Sequence, residues 1–319
     1  MVGRLMDISI ENLSVSYMTK GKEARVLRHV SLFLPAGKIT ALVGESGSGK
    51  SILGAAVMGL LEGNPSITDS IRYGEKELLG QTEKEWNQIR GTTIGWIAQD
   101  PIAAMDPLVP VGKQVSEGGR YQKEKPREGW KKKVFSQLSR FGLERPETVY
   151  PKYPGELSGG MAQRVLSAMM AMPHPLWMVA DEPTKGLDAF VRREVCQVFR
   201  MLRDQEGTGF LLITHDLRLA ERLADYVGIM YGGELLEYGK TEDIFSHPAH
   251  PYTQSFLAAQ PSQRLQPISG MPPNLSAIPA GCIFKNRCNR YQAGLCDTMP
   301  AMEKMANTHW ARCHRGTSV

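Results

Sequence analysis

The run Gly44-Glu45-Ser46-Gly47-Ser48-Gly49-Lys50-Ser51 satisfies the pattern G-x4-G-K-[ST]. Glycines at Gly44, Gly47 and Gly49, with Ser46 between them, let backbone N–H groups close around phosphate oxygens, and a following helix N-terminus adds positive potential. Lys50 has the reach for the β and γ phosphates of a nucleotide, and the Ser51 hydroxyl suits Mg²⁺. A second element is Leu176-Trp177-Met178-Val179-Ala180-Asp181-Glu182, an apolar run delivering two carboxylates at its end. Beside a phosphate loop, Asp181 suits the water shell of the metal and Glu182 suits polarising an attacking water. Leu157-Ser158-Gly159-Gly160-Met161-Ala162-Gln163 is a small-residue turn entering a helix, another place for an anion. Near the C-terminus, Cys282-x5-Cys288-x7-Cys296-x16-Cys313 sets out four thiols. Four thiolates suit tetrahedral zinc or a [4Fe–4S] cluster, although the tight C-x2-C pairs usual for structural zinc are missing. Cys196, apart from these, reads as a small buried hydrophobe.

These groups need a scaffold of alternating strands and helices. Ile8, Ile10, Leu13, Val15 and Tyr17 alternate as in half-buried antiparallel strands, with a charged turn at residues 20–25. Ile39–Val43 is mostly apolar and stops at Gly44, as a buried parallel strand does, and residues 51–61 have helical spacing. Further strands are expected at residues 91–99, 177–180 and 210–214. Helices are expected at 126–141, from Gly160 to about Met172, at Ala189–Glu206 and at 217–224. Gly232-Gly233 divides Tyr226–Tyr231 from residues 234–238 as a hairpin turn would. The fold class is therefore α/β with an antiparallel β addition. Residues 248–281 hold seven prolines, including Pro248, Pro251, Pro261 and Pro267, which predicts an extended strap. The division is residues 1–247, a strap at 248–281 and a four-cysteine extension at 282–319.

The apolar fraction of 42% and five cysteines in 319 residues exclude a disordered chain and a disulfide-dense miniprotein. No run approaches the ~20 apolar residues that span a bilayer, and residues 1–7 lack the apolar core of a secretory signal. A cytosolic chain with reduced thiols is expected, reaching any membrane through partners. The net charge of +5 is uneven: residues 282–319 carry Lys285, Arg287, Arg290, Lys304, Arg312 and Arg315 against Asp297 and Glu303, a net of +4.

The phosphate loop, Gln99, Leu-Ser-Gly-Gly-x-x-Gln, the strand ending in Asp181-Glu182, Leu187-Asp188 and Thr214-His215-Asp216, in this order, strongly resemble the nucleotide-binding subunits of ATP-binding cassette (ABC) transporters, over residues 8–247. The resemblance implies a P-loop ATPase with antiparallel β and helical subdomains, working as a head-to-tail pair. Ser158, Gly159, Gly160 and Gln163 of one subunit would meet the γ-phosphate held by Lys50 of the other. Gln99 would contact Mg²⁺ and the attacking water, His215 the γ-phosphate, Tyr17 the adenine ring, and Asp188 the subunit interface. Lys185-Gly186 departs from the small or hydroxyl residues usual before Leu187-Asp188, which puts that interface in question.

Gln99-Asp100-Pro101-Ile102-Ala103-Ala104-Met105-Asp106-Pro107, His247-Pro248-Ala249-His250-Pro251-Tyr252-Thr253 and the segment from Pro279 to Cys288 look like the peptide/nickel-uptake branch. That branch implies a second, related ATPase chain, two transmembrane permease subunits and an extracytoplasmic substrate-binding protein, with this chain at the cytoplasmic face of the membrane. Members of the branch bind a [4Fe–4S] cluster through such a tail, so the resemblance favours that cluster over Zn²⁺ at Cys282, Cys288, Cys296 and Cys313. A soluble ABC ATPase acting on nucleic acid is the competing class, suggested by the basic tail with Tyr291 and Trp310.

Overall fold

The computed structural model describes residues 5–19, 21–119, 129–260 and 268–314. Lys20, Pro126, Pro261, Pro267 and Arg315 lie outside the described residues. In chain order the strands begin with β1 (Ile8–Thr19), β2 (Lys22–Leu34) and β3 (Ile39–Val43), followed by helix α1 (Lys50–Val57). β4 (Ser66–Tyr73), β5 (Lys76–Glu77), α2 (Glu83–Ile89), β6 (Ile94–Ile97), α3 (Val111–Glu117), α4 (Trp130–Arg140), α5 (Pro146–Val149) and α6 (Gly159–Ala171) come next. Then come β7 (Trp177–Asp181), α7 (Ala189–Glu206), β8 (Gly209–Thr214) and α8 (Leu217–Leu223). The chain continues through β9 (Tyr226–Tyr231), β10 (Glu234–Lys240), α9 (Thr241–Ser246), α10 (Pro251–Ala258), β11 (Glu303–Ala306) and β12 (His309–Ala311).

Contacts divide the chain into two compact units, and β8 runs from one into the other. One unit combines Met6–Gly80 with Leu212–Val319. It contains an antiparallel sheet ordered β2-β1-β4-β5 and, separately, strands ordered β11-β12-β10-β9-β3. β3 and β9 pair in parallel, with Ala41 opposite Val227, and every residue of β3 is buried, which explains its mostly apolar run. β9 and β10 form the hairpin expected at Gly232-Gly233, both at positive φ. β12 adds to the free side of β10, Trp310 opposite Tyr238, so the cysteine-bearing tail and the phosphate loop belong to one unit.

The prolines of residues 248–281 do not give an extended strap throughout. Pro251 sits at the first position of α10 and the His250 ring accepts a hydrogen bond from the Tyr252 N–H at 2.9 Å. A proline at the first helical position loses no intrahelical donor and brings a suitable φ, so Pro251 starts the helix it was expected to prevent.

The second unit contains Gln81–Leu211. β6 and β7 pair in parallel, with Trp96 opposite Val179, and the helices α2 to α7 belong to this unit. α7 buries Val195, Val198, Phe199 and Leu202 along one stripe and ends at Gly207 with φ +72°. That stripe contributes about 1.5–3 kcal/mol per side chain by removing apolar surface from water. Cys196 lies beside it and is half-buried, since position 196 falls at the edge of the stripe.

Candidate active site

The phosphate loop joins β3 to α1 and is shaped by close backbone approaches. A Cβ at Gly44 would lie 2.1 Å from the Met230 carbonyl oxygen, and one at Gly49, φ +98°, would lie 2.8 Å from Leu27 Cδ2 and 2.9 Å from the Val26 oxygen. Only glycine fits at both positions. The Gly233 N–H donates to Ser48 O at 3.1 Å, and the Arg28 N–H donates to Gly233 O at 2.8 Å, so the hairpin turn braces the loop. Lys50 is 7% exposed, and its Nζ donates to Gly44 O and Glu45 O, each at 2.9 Å, and to Ser48 Oγ at 3.2 Å. Its ammonium is thus held inside the loop curve, beside the exposed Ser46 and Gly47. Ser51 is exposed in the first turn of α1. Tyr17 lies near the end of β1, half-buried, with ring atoms 3.8 Å from a Cβ placed on Gly63; burial, then the nearby Glu62 charge, raise its hydroxyl pKa. His215 follows β8 and is exposed, while Asp216 caps α8 by accepting from the Arg218 and Leu219 N–H groups.

The remaining expected groups belong to the other unit. Asp181 ends β7 and is 4% exposed. Glu182 follows at φ +49°, a backbone well that non-glycine residues enter at a cost and that recurs at functional sites. Gln99 is exposed just after β6, and Asp100 shapes the next turn by accepting from the Ile102 and Ala103 N–H groups. Ile102 and Leu108 of the same segment are 39% and 84% exposed.

Ser158 caps α6, accepting from the Met161 N–H at 3.3 Å. A Cβ on Gly159 would meet nothing within 4 Å, and one on Gly160 nothing closer than 3.7 Å. The packing of this chain therefore does not call for glycine at Gly159. Gln163 points inward, 2% exposed, and its Nε2 has no hydrogen-bond partner among the described residues. Asp188 caps α7 by accepting from the Phe190 and Val191 N–H groups at 2.9 and 3.0 Å. The departure at Lys185-Gly186 is accommodated locally, because Gly186 takes φ +72° in the turn leading to this cap.

All four tail cysteines line one small cavity, with about 10 Å³ of room, in the unit that holds the phosphate loop. A water-sized body needs about that much space. Lys285, Arg290, His250 and His314 share the lining. His250 is 1% exposed, its Nε2 has no hydrogen-bond partner among the described residues, and burial pulls its pKa down to about 4. Burial pushes the Cys282 thiol up to about 11, with Cys313 and Cys288 adding to the shift. Among the described residues no three or more His, Cys, Asp or Glu side chains converge closely enough to hold a metal ion as they stand.

Three of the basic tail residues are used internally. Lys285 pairs with Asp297 at 2.8 Å, Arg287 with Glu45 at 3.1 Å, and Arg312, 8% exposed, donates to Leu235 O and His29 O. Trp310 stacks on Tyr238 with ring centroids 5.9 Å apart, and Tyr291 Oη donates to Asp297. Cations and rings already engaged in this way are poor platforms for phosphates and bases, which weakens the nucleic-acid alternative.

Comparison with known proteins gives the same assignment. The ABC transporter family pattern matches residues 27–185, and that of the oligopeptide/dipeptide transporter C-terminal region matches residues 236–296. The chain is 37% identical to the dipeptide transport ATP-binding protein DppD of Bacillus subtilis, over 96% of this chain and 93% of that protein. The chain belongs to the ATP-binding subunits of ABC transporters. This ABC ATPase is also 35% identical to the oligopeptide transport ATP-binding protein OppD of Bacillus subtilis, over 98% of its own length and 88% of the relative's. Among solved structures it resembles the ABC cassette MJ0796 in a dimeric state bound to ADP and Pi, with a TM-score of 0.67 and 24% identity over 73% of this chain and 98% of that one. The likeness to that cassette is one of fold. Among the described residues of the ABC ATPase no helix is long and apolar enough to cross a membrane.

Proposed function

We propose that this ABC ATPase hydrolyses ATP to drive import of dipeptides or oligopeptides, as one of two ATPase subunits beneath a permease at the cytoplasmic face of the membrane. The observation that carries this reading is the match of residues 236–296 to the oligopeptide/dipeptide C-terminal region, in a chain whose similarity to DppD covers nearly all of both proteins. Peptide is favoured over nickel or a metal chelate because the similar proteins carry peptide names. Two permease subunits, a substrate-binding protein outside the cell and a second, related ATPase complete the assembly. The exposed Ile102 and Leu108, beside Gln99, offer apolar surface to a permease helix.

Within the site, backbone N–H groups from Gly44 to Gly49 bind phosphate, and Lys50 offsets the charge of the β and γ groups. Ser51 and Gln99 would hold Mg²⁺, with Asp181 behind its water shell; when bound, the ion neutralises charge on the transferred phosphoryl group. Glu182 accepts a proton from the attacking water, His215 and Gln99 orient the γ-phosphate and that water, and Tyr17 stacks on adenine. Ser158, Gly159 and Gly160 face the partner's nucleotide, Gln163 belongs to the same shared site, and Asp188 lies at the subunit boundary. The openness of Gly159 supports this pairing, because the glycine leaves room for a body from outside the chain.

The four-thiol cavity suits a soft metal, and Cys282, Cys288, Cys296 and Cys313 would hold it. The four-thiol donor set supports a [4Fe–4S] cluster, with the nearby Lys285 and Arg290 offsetting its negative charge; the thiols do not converge on a metal as they stand, so binding requires the cavity lining to rearrange. Such a centre would cross-link the tail. Iron and sulfide analysis after anaerobic purification tests this, and stoichiometric zinc without iron would replace the cluster by Zn²⁺. The transport reading is tested by reconstituting the ATPase with a second ATPase chain, a peptide permease and its substrate-binding protein. ATP hydrolysis stimulated by peptide is expected; stimulation by nickel chelates alone would reassign the cargo.

A further inference from the structure

Arg287, between two of the tail cysteines, reaches across 242 residues of sequence to the second residue of the phosphate loop. Its Nη1 donates to both Glu45 carboxylate oxygens, at 3.2 and 3.1 Å, and to Tyr231 Oη at 3.1 Å. Nε and Nη2 donate to the backbone oxygens of Ser269 and Ile268, at 2.9 and 3.2 Å, and the guanidinium carbon lies 5.5 Å from the centre of the Tyr231 ring. The Arg287 side chain is 6% exposed and that of Glu45 23%, so water screens the pair weakly. A lysine could not reproduce this fork of donors.

A second connection reaches the same residue. The Glu45 N–H donates to Tyr252 Oη at 3.2 Å, and Tyr252 lies in the first turn of α10, two residues after His250, which lines the thiol cavity. The rings of Tyr252, Tyr231 and Phe284 pack at 4.6 to 5.4 Å, and Phe284 follows the cavity residue Cys282 by two positions. Both the backbone N–H and the carboxylate of Glu45 are thus held by groups one or two residues from the cavity lining. In addition, the Glu45 carbonyl accepts from Lys50 Nζ at 2.9 Å, so a shift of Glu45 moves the lysine that meets phosphate.

The geometry points to Arg287 and Tyr252 as positioning residues for the phosphate loop, through which the state of the four-thiol cavity and the binding of nucleotide are linked. The inference rests on the ATP-site reading but not on the identity of any metal. Linkage of this kind runs both ways: what moves the cavity changes affinity for ATP, and ATP changes the cavity by the same factor.

The test uses the full chain with Glu182→Gln to suppress turnover, titrated with Mg-ATP by calorimetry. Arg287→Ala and Glu45→Gln should each weaken ATP binding about tenfold, within the range of ordinary coupling between sites. If Arg287 acts through Glu45, the double variant should be no weaker than about tenfold, because two changes in one interaction are not additive. Tyr252→Phe should weaken binding less, and Arg287→Lys should recover part of the Arg287→Ala loss. In the assembled transporter, with Glu182 intact, Arg287→Ala should raise KM for ATP while leaving kcat at saturation nearly unchanged.

The reciprocal readout is the rate at which a maleimide alkylates Cys282 and Cys288, followed by peptide mass mapping. Saturating ATP should change that rate several-fold, and Arg287→Ala should abolish the change. Binding by Arg287→Ala within twofold of the parent, multiplying losses in the double variant, or alkylation rates blind to ATP would each overturn the linkage. Should Arg287→Ala fail to fold, Glu45→Gln and Arg287→Lys carry the same test. Lys50→Ala separates the two failures: if it leaves ATP binding intact, the nucleotide site itself is misassigned, and if it abolishes binding while Glu45 and Arg287 variants do not affect it, only the linkage fails.

Discussion

The chain has two glycine turns suited to phosphate, and they are built differently. The loop from Gly44 to Ser51 is enforced from within, since side chains at Gly44 and Gly49 would strike Met230, Leu27 and Val26, and its lysine is held by the loop's own carbonyls. The turn at Ser158-Gly159-Gly160 is enforced by little in its own chain, since Gly159 faces open space. The first turn is complete in one chain. The packing of the second turn gives no reason for its glycine within its own chain, and the proposed sharing of the site between two subunits would supply one.

The largest effect expected from breaking this scheme falls on chemistry. Glu182→Gln should lower ATP turnover about a thousandfold, the scale of losing a general base, and leave ATP binding intact. Measured turnover within tenfold of the parent would remove Glu182 from its role. Next come the two turns. Gly44→Ala should destabilise the isolated chain by about 3 kcal/mol, because the new methyl would overlap a backbone oxygen that cannot move cheaply. Gly159→Ala should do the opposite to stability, raising it by about 0.5 kcal/mol as alanine replaces glycine in the first turn of α6. The same change should cut turnover of the assembled transporter at least about tenfold if a neighbouring nucleotide approaches the turn. Thermal melts and ATPase assays on both variants sharpen the contrast, and it collapses if Gly159→Ala is both stable and fully active.

Much of this site was legible because its chemistry is local in sequence. Eight contiguous residues specify the phosphate loop, and Asp181 and Glu182 end a run of buried apolar residues that identifies its own strand. The αL conformation of Glu182 left no such mark, since nothing in the residue type announces it. Distant pairings were invisible for a physical reason. Arg287 read as one charge in a basic tail, and its contact with Glu45 joins residues 242 apart in sequence, a pairing that no local pattern can announce. The same blindness affected residues 248–281, where proline content argued for an extended strap. Pro251 instead opens a helix, because position within an element matters more than composition.

Asp188 provides the smallest and most discriminating test of the second turn's surroundings. Its carboxylate caps α7 through the Phe190 and Val191 N–H groups, a role sufficient to explain an aspartate there without any partner. Loss of the cap in Asp188→Ala should cost about 1 kcal/mol. Asparagine caps almost as well as aspartate, so Asp188→Asn should keep nearly all of the stability while removing the charge. If Asp188 only caps a helix, Asp188→Asn should hydrolyse ATP like the parent in the assembled transporter. A loss of turnover in a variant that melts at the parental temperature would show that the carboxylate also acts beyond its own chain, as a residue beside a shared nucleotide must.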